Sequence, residues 1–178
     1  MVDKKLAFDY FIHSLIEFYK KHLSMSENEA MSQIDRLRAM KLLFFVCAND
    51  SKKDDPGLLA TFNNFCAMPF GHVESNIYDA IAKDELSYYC IGKATTKKSA
   101  SDFASLNTEM KGQIDSAIDA LLFENSHLLT LPSFSLVDLS HEWYSWKSTY
   151  QMARSINRSS LPIGNKVIQI EPKFYKLN

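Results

Sequence analysis

The side chains of this chain that could do chemistry are few and scattered. Five histidines (His13, His22, His72, His127, His141) and three cysteines (Cys47, Cys66, Cys90) supply all its nitrogen and sulfur ligands. A zinc site built from them would need two cysteines three residues apart, or two histidines four apart on one helix face, and neither spacing occurs. Cys66 could act as a nucleophile only with a base such as His72 or His141 beside it in space and a positive environment to lower its pKa. Its surroundings, NNFCAMPF, are apolar and push the thiol the other way. There is no Walker-type phosphate loop, no GxGxxG and no GxSxG, and the chain holds only five glycines with which to cradle a phosphate. The sequence thus offers no catalytic motif, no cofactor-binding motif and no metal-ligand motif. What remains is His141, five residues before Trp146 in LVDLSHEWYSWKSTY (136–150), and His72 in FCAMPFGHVESNIYDAI (65–81). Rings of this amphipathic kind usually settle half-buried, with one edge bonded and the other packed.

The elements that must position these residues read as helices. Phe8, Phe11, Leu15 and Phe18 recur at helical spacing, while Asp9, His13, Glu17 and Lys21 form a line on another face, which places His13 among solvated charges. A helix over about residues 3–23 follows. Two overlapping capping boxes, Ser24-x-x-Glu27 and Ser26-x-x-Glu29, start a second helix, which the apolar line Ile34, Leu37, Met40, Phe44 and Cys47 continues. Leu42, Leu43, Phe45 and Val46 widen that stripe until it surrounds the axis, so its second half should be central core. NDSKKDDPG (49–57) ends it. LLATFNNF fits either a short helix or an irregular segment.

Pro69 and Gly71 then break regular structure, and Val73, Ile77, Tyr78 and Ile81 resume the helical pattern with Glu74 in the first turn. LSYYCIG (86–92) has the residues of a short strand, GKATTKKSASD reads as an exposed basic loop, and Met110, Ile114, Ile118 and Leu121 mark a helix over 107–124. Ser135-x-x-Asp138 reads as the cap of a short helix, and YSWKSTYQMARS as one more. In the tail, Val167, Ile168 and Ile170 fit a strand that their flanks do not extend. The expected architecture is a mainly α, single compact domain spanning residues 1–178, with room for one small β-strand or hairpin.

At 178 residues the chain can build one core, and its 46% hydrophobic and 23% charged residues leave little room for disorder. A formal net charge of -1 provides no field to attract nucleic acid or anionic lipid. The odd, widely spaced cysteines suit buried thiols in a reducing compartment, and the apolar runs are too short and too interrupted for a signal peptide or a membrane span. These features predict a cytoplasmic protein.

Three stretches together resemble the Panacea domain of SocA-like antitoxins. RLRAMKLLFFVCA is similar to that family's Leu-x-x-x-Lys-Leu-Leu-Tyr-Phe helix, FCAMPFGHVESNIYDAI to its aromatic-x-Gly-Pro-Val corner and following Ile-Tyr helix, and LVDLSHEWYSWKSTY to its Leu-Ser/Thr-His-x-x-x-x-Trp ending. The likeness covers about residues 36–154, and the motif positions are Lys41, Leu42, Leu43, Gly71, Val73, Tyr78, His141 and Trp146. This chain departs at His72, where the family commonly has proline. A site that accepts proline serves backbone shape rather than proton transfer, so Gly71 and His72 are expected to form a structural corner. The resemblance implies a helical, often phage-associated antitoxin with no cofactor, which neutralises a cognate toxin by direct binding. Phe70, Tyr78 and Trp143 are the candidate partner anchors, since interfaces depend on aromatic and apolar groups. Two rival readings are an adaptor that presents a partner to a protease or transcription complex, and an enzyme built around His141 and Trp146 with Glu142 or Cys66.

Overall fold

A computed structural model describes residues 2–177. Helix α1 (Lys4–Leu23) starts where the Asp3 carboxylate accepts the Lys5 and Leu6 N–H groups, and it ends at Ser24 in the left-handed conformation. Ser24 therefore closes a helix rather than opening one. Only the second capping box forms: Ser26 and Glu29 satisfy each other's backbone donors at the start of α2 (Glu27–Gln33). The expected continuous helix breaks at Ile34. Asp35 caps a new helix, α3 (Arg36–Asp50), while Thr95 Oγ1 donates to the Ile34 carbonyl and the Arg36 N–H donates to Gly92 O. Tertiary partners for the freed backbone groups make that break tolerable despite the continuous apolar line.

Residues 38–48 of α3 are all buried, which makes α3 the axial helix of the fold. After a 3-10 turn (Gly57–Ala60), the chain forms a hairpin of β1 (Phe65–Met68) and β2 (Gly71–Glu74), joined by Pro69 and Phe70. Glu74 is the N-cap of α4 (Ser75–Ala82), and its buried carboxylate is paired with Lys4 at 2.7 Å. A second hairpin, β3 (Tyr89–Ile91) and β4 (Thr95–Lys97), occupies the region where a strand and a loop are read from sequence. Then come α5 (Thr108–Leu122), α6 (His127–Thr130), α7 (Ser133–His141), α8 (Tyr144–Ser155), β5 (Leu161–Pro162) and α9 (Asn165–Ile170). β5 lies on the free side of β1, giving the sheet order β2-β1-β5, with Pro162 in an edge strand, where its missing N–H is tolerated.

The mainly helical fold with small sheets agrees with the sequence expectation. Three further local readings do not hold. The tail around Val167 and Ile168 is the helix α9, because Ile168 alone packs fully into the core while Ile170 is exposed. Ser135 lies inside α7, whose N-cap is Pro132, so it caps nothing. Asp9 does not face solvent but is fully buried, while His13 is half-buried, packed against Tyr89 and Phe103 on one side and lining an open cleft with Glu17, Lys21 and Asp115 on the other. Asp9 accepts the backbone N–H groups of Ser87, Tyr88 and Tyr89, and so ties α1 to the start of β3. Among the described residues no helix is long and apolar enough to cross a membrane.

Replacing Asp9 by Ala removes the acceptor of three backbone donors. Asp9→Ala should destabilise the fold by about 2–4 kcal/mol in urea titration with an unchanged m-value.

Candidate functional site

β2 is an edge strand buried inside the protein, so its outward N–H and C=O groups cannot reach water. Side chains take the place of the missing strand. The His72 N–H donates to Ser140 Oγ on α7 at 3.1 Å, and Lys41 Nζ on α3 donates to the His72 carbonyl at 2.5 Å. The His72 ring lies flat on Phe44, with centroids 3.5 Å apart. Its Nδ1 is 2.8 Å from Ser140 Oγ and its Nε2 is 2.7 Å from Ser145 Oγ on α8. A neutral imidazole has one donor and one acceptor nitrogen, and a hydroxyl can serve either, so both ring positions are satisfied. Lys41, His72, Ser140 and Ser145 are fully enclosed.

Gly71 makes this contact possible. Its φ is +95°, and a Cβ there would lie 2.5 Å from Ser140 Oγ and 2.9 Å from Lys41 Nζ. Both the left-handed backbone and the close approach of two side chains therefore require glycine. On the other side of the turn, Trp146 Nε1 donates to the Met68 carbonyl at 2.8 Å, and the His141 ring stacks on Trp146 at 3.8 Å. The three stretches singled out in the sequence thus converge on a single hairpin: Lys41 from the first, Gly71 from the second, His141 and Trp146 from the third. Leu42 and Leu43 are core, and Val73 is 5% exposed at the groove described below.

Burial dominates the electrostatics. It pushes Lys41 from its ordinary 10.5 down to about 7, with no carboxylate in ion-pair contact among the described residues. His72 is held well below 6.5, first by burial and then by Lys41 and His141. His141 is also lowered, by burial and then Lys41, against an opposing pull from the Pro69 backbone. The Cys66 thiol is raised by burial, and its hydrogen-bond partner is Ser75, not a histidine. This cluster can satisfy backbone groups and hold a turn rigid. A substrate would have to displace core side chains to reach Ser140 or Lys41.

Outside the cluster the same hairpin presents an apolar groove. The Pro69–Phe70 turn directs Phe70 outwards, 56% exposed, with its ring edge-on to Phe134 at 6.2 Å. Tyr78, 37% exposed, stands across from it on α4, and Leu37, Met40 and Met68 form the floor of a cleft of about 430 Å³. Two of the three anchors read from sequence, Phe70 and Tyr78, therefore share one surface. Trp143 does not belong with them. It is fully buried, with Phe44 edge-on at 4.9 Å, Phe174 at 5.2 Å and Lys173 above its ring, because the C-terminal segment folds over it. Sequence reading also missed Ser145, Arg36 and Phe134, and it gave Ser140 no role although the Leu-Ser/Thr-His pattern contains it. The signal for Ser140 was its place beside His141 in that pattern, since hydroxyls commonly satisfy buried backbone groups.

Two outcomes follow from the cluster. Gly71→Ala forces a strained φ and a clash, and should cost about 3 kcal/mol or more in denaturant titration. Between pH 7 and 10.5 an unfolded lysine carries a proton that the folded Lys41 does not hold, so Lys41 favours folding increasingly as pH rises through that window. The stability of the wild type minus that of Lys41→Met should therefore grow by up to about 4 kcal/mol from neutral to alkaline pH, measured by urea unfolding across a pH series.

No protein-family model, curated protein or solved structure matches this chain.

Proposed function

We propose that this protein is an antitoxin-like binding module, which neutralises a cognate toxin in the cytoplasm by covering it, with Phe70 and Tyr78 as anchors. The observation that carries this reading is the placement of Phe70. A buried cluster of Lys41, Gly71, His72 and Ser140 holds a two-residue turn whose single large side chain points out beside an apolar groove. Exposed aromatic side chains on a rigid support lose little entropy when they bind, and such groups dominate interface energetics. The three-part resemblance to Panacea-domain antitoxins favours a toxin as the partner. The net charge of -1 favours protein over nucleic acid as the bound surface.

The reading is tested by expressing the product of the neighbouring open reading frame in bacteria with and without this chain, and by purifying the pair. Growth arrest by the neighbour, rescue by this protein and a stable complex are expected. Phe70→Asp should abolish rescue and weaken the complex by about 30-fold or more while leaving the melting temperature within about 2 °C, because Phe70 is mostly solvent-exposed in the free protein. Rescue that persists undiminished in Phe70→Asp would remove the groove from the interface.

A further inference from the structure

The polar edge of the groove specifies more than an apolar partner. Arg36, the first residue of α3, lines the cleft with its guanidinium over the Tyr78 ring at 6.0 Å. Its Nε is buried and has no hydrogen-bond partner. No carboxylate among the described residues pairs with it. The adjacent Asp35 is already engaged, accepting the Arg38 N–H at 2.7 Å and the Ser133 hydroxyl at 2.6 Å. Other cations near carboxylates in this protein find them: Lys4 reaches Glu74, Lys97 reaches Glu27 and Lys147 reaches Glu142.

A guanidinium that lines an apolar cleft with no carboxylate of its own to pair with leaves its charge to be matched by a ligand. The natural complement is a carboxylate, because the planar fork binds one through two parallel hydrogen bonds, and because the surrounding side chains exclude water and strengthen the pair. Arg36 also sits at the positive end of a fifteen-residue helix, which adds to the preference for an anion. The rest of the cleft is apolar: Leu37, Met40, Met68, Val73 and the rings of Phe70 and Phe134.

We propose that this groove is a docking site for a linear segment of a partner protein in which bulky apolar side chains lie beside one aspartate or glutamate, with Arg36 receiving the carboxylate. This rests on the binding-module reading above for its biological context, though the recognition chemistry stands on the groove itself.

The experiment is selection of a randomised dodecapeptide phage library on the full chain, with Phe70→Asp as the counter-selecting surface, followed by titration of the best synthetic peptide. Enriched sequences should combine apolar residues with an Asp or Glu. Changing that acid to its amide should weaken binding about tenfold to wild type and leave binding to Arg36→Gln unchanged, the pattern of direct coupling between the two groups. Enrichment without an acid, no groove-dependent enrichment, equal amide penalties on wild type and Arg36→Gln, or self-association of the chain through Phe70 would each overturn the proposal. The two readings separate cleanly. A toxin that binds the groove with full affinity for Arg36→Gln refutes the carboxylate site alone. Acidic peptides that bind while no neighbouring product is toxic refute the antitoxin reading alone.

Discussion

A β-strand with one uncovered edge, placed inside a helical protein, sets the constraint that this structure meets. The outward backbone of β2 at His72 has neither water nor a neighbouring strand. A lysine from α3 and a serine from α7 provide the missing donor and acceptor. Burying Lys41 without a carboxylate is unfavourable for its charged form, and its lowered pKa records that cost. The alternative, an unsatisfied carbonyl in the core, would carry its own desolvation penalty. Because the donor comes from the axial helix and the acceptor from α7, satisfying one residue also fixes the positions of three elements relative to one another.

The consequence appears at the surface. A two-residue turn between β1 and β2 would swing freely if only one side were held. Here Lys41 and Ser140 grip the β2 side, and Trp146 grips the Met68 carbonyl on the β1 side. Phe70 is thereby presented from a fixed base, with Phe134 on α7 and Tyr78 on α4 placed by the same framework. Around this hairpin the enclosed polar groups are occupied with backbone and with one another, and the exposed groups are aromatic, apolar and, at Arg36, cationic.

Similar side-chain clamps recur elsewhere. Asp9 binds three consecutive backbone N–H groups ahead of β3. The Arg38 guanidinium donates to the carbonyls of Leu129 and Leu131 and to the Tyr19 hydroxyl, tying α3 to the end of α6. Glu74 caps α4, receives the Asn64 N–H and pairs with Lys4. In each case a buried charged group replaces backbone pairing that short, irregular elements cannot supply to one another. Long charged side chains thus do much of the joining between helices and hairpins in this fold.

The sequence by itself determined the helices with strong apolar periodicity: α1, the buried half of α3, α4 and α5 are legible because burial on one face imposes a spacing that the residues display directly. It also determined that α3 is axial, since apolar residues surround its second half. Phe70 and Tyr78 were legible as candidate anchors, but their exposure and that of Trp143 were not, because an aromatic residue reads the same whether a distant segment covers it or leaves it bare. Only the tertiary structure decided that the C-terminal segment buries Trp143, that Asp9 turns inwards, and that the chain breaks at Ile34, where Thr95 and Gly92 take up the freed backbone groups. The β1–β2 hairpin and its cluster were hidden for the same reason. Their pairing depends on Lys41 and Ser140, which are far from His72 in sequence and meet it only once the core has closed.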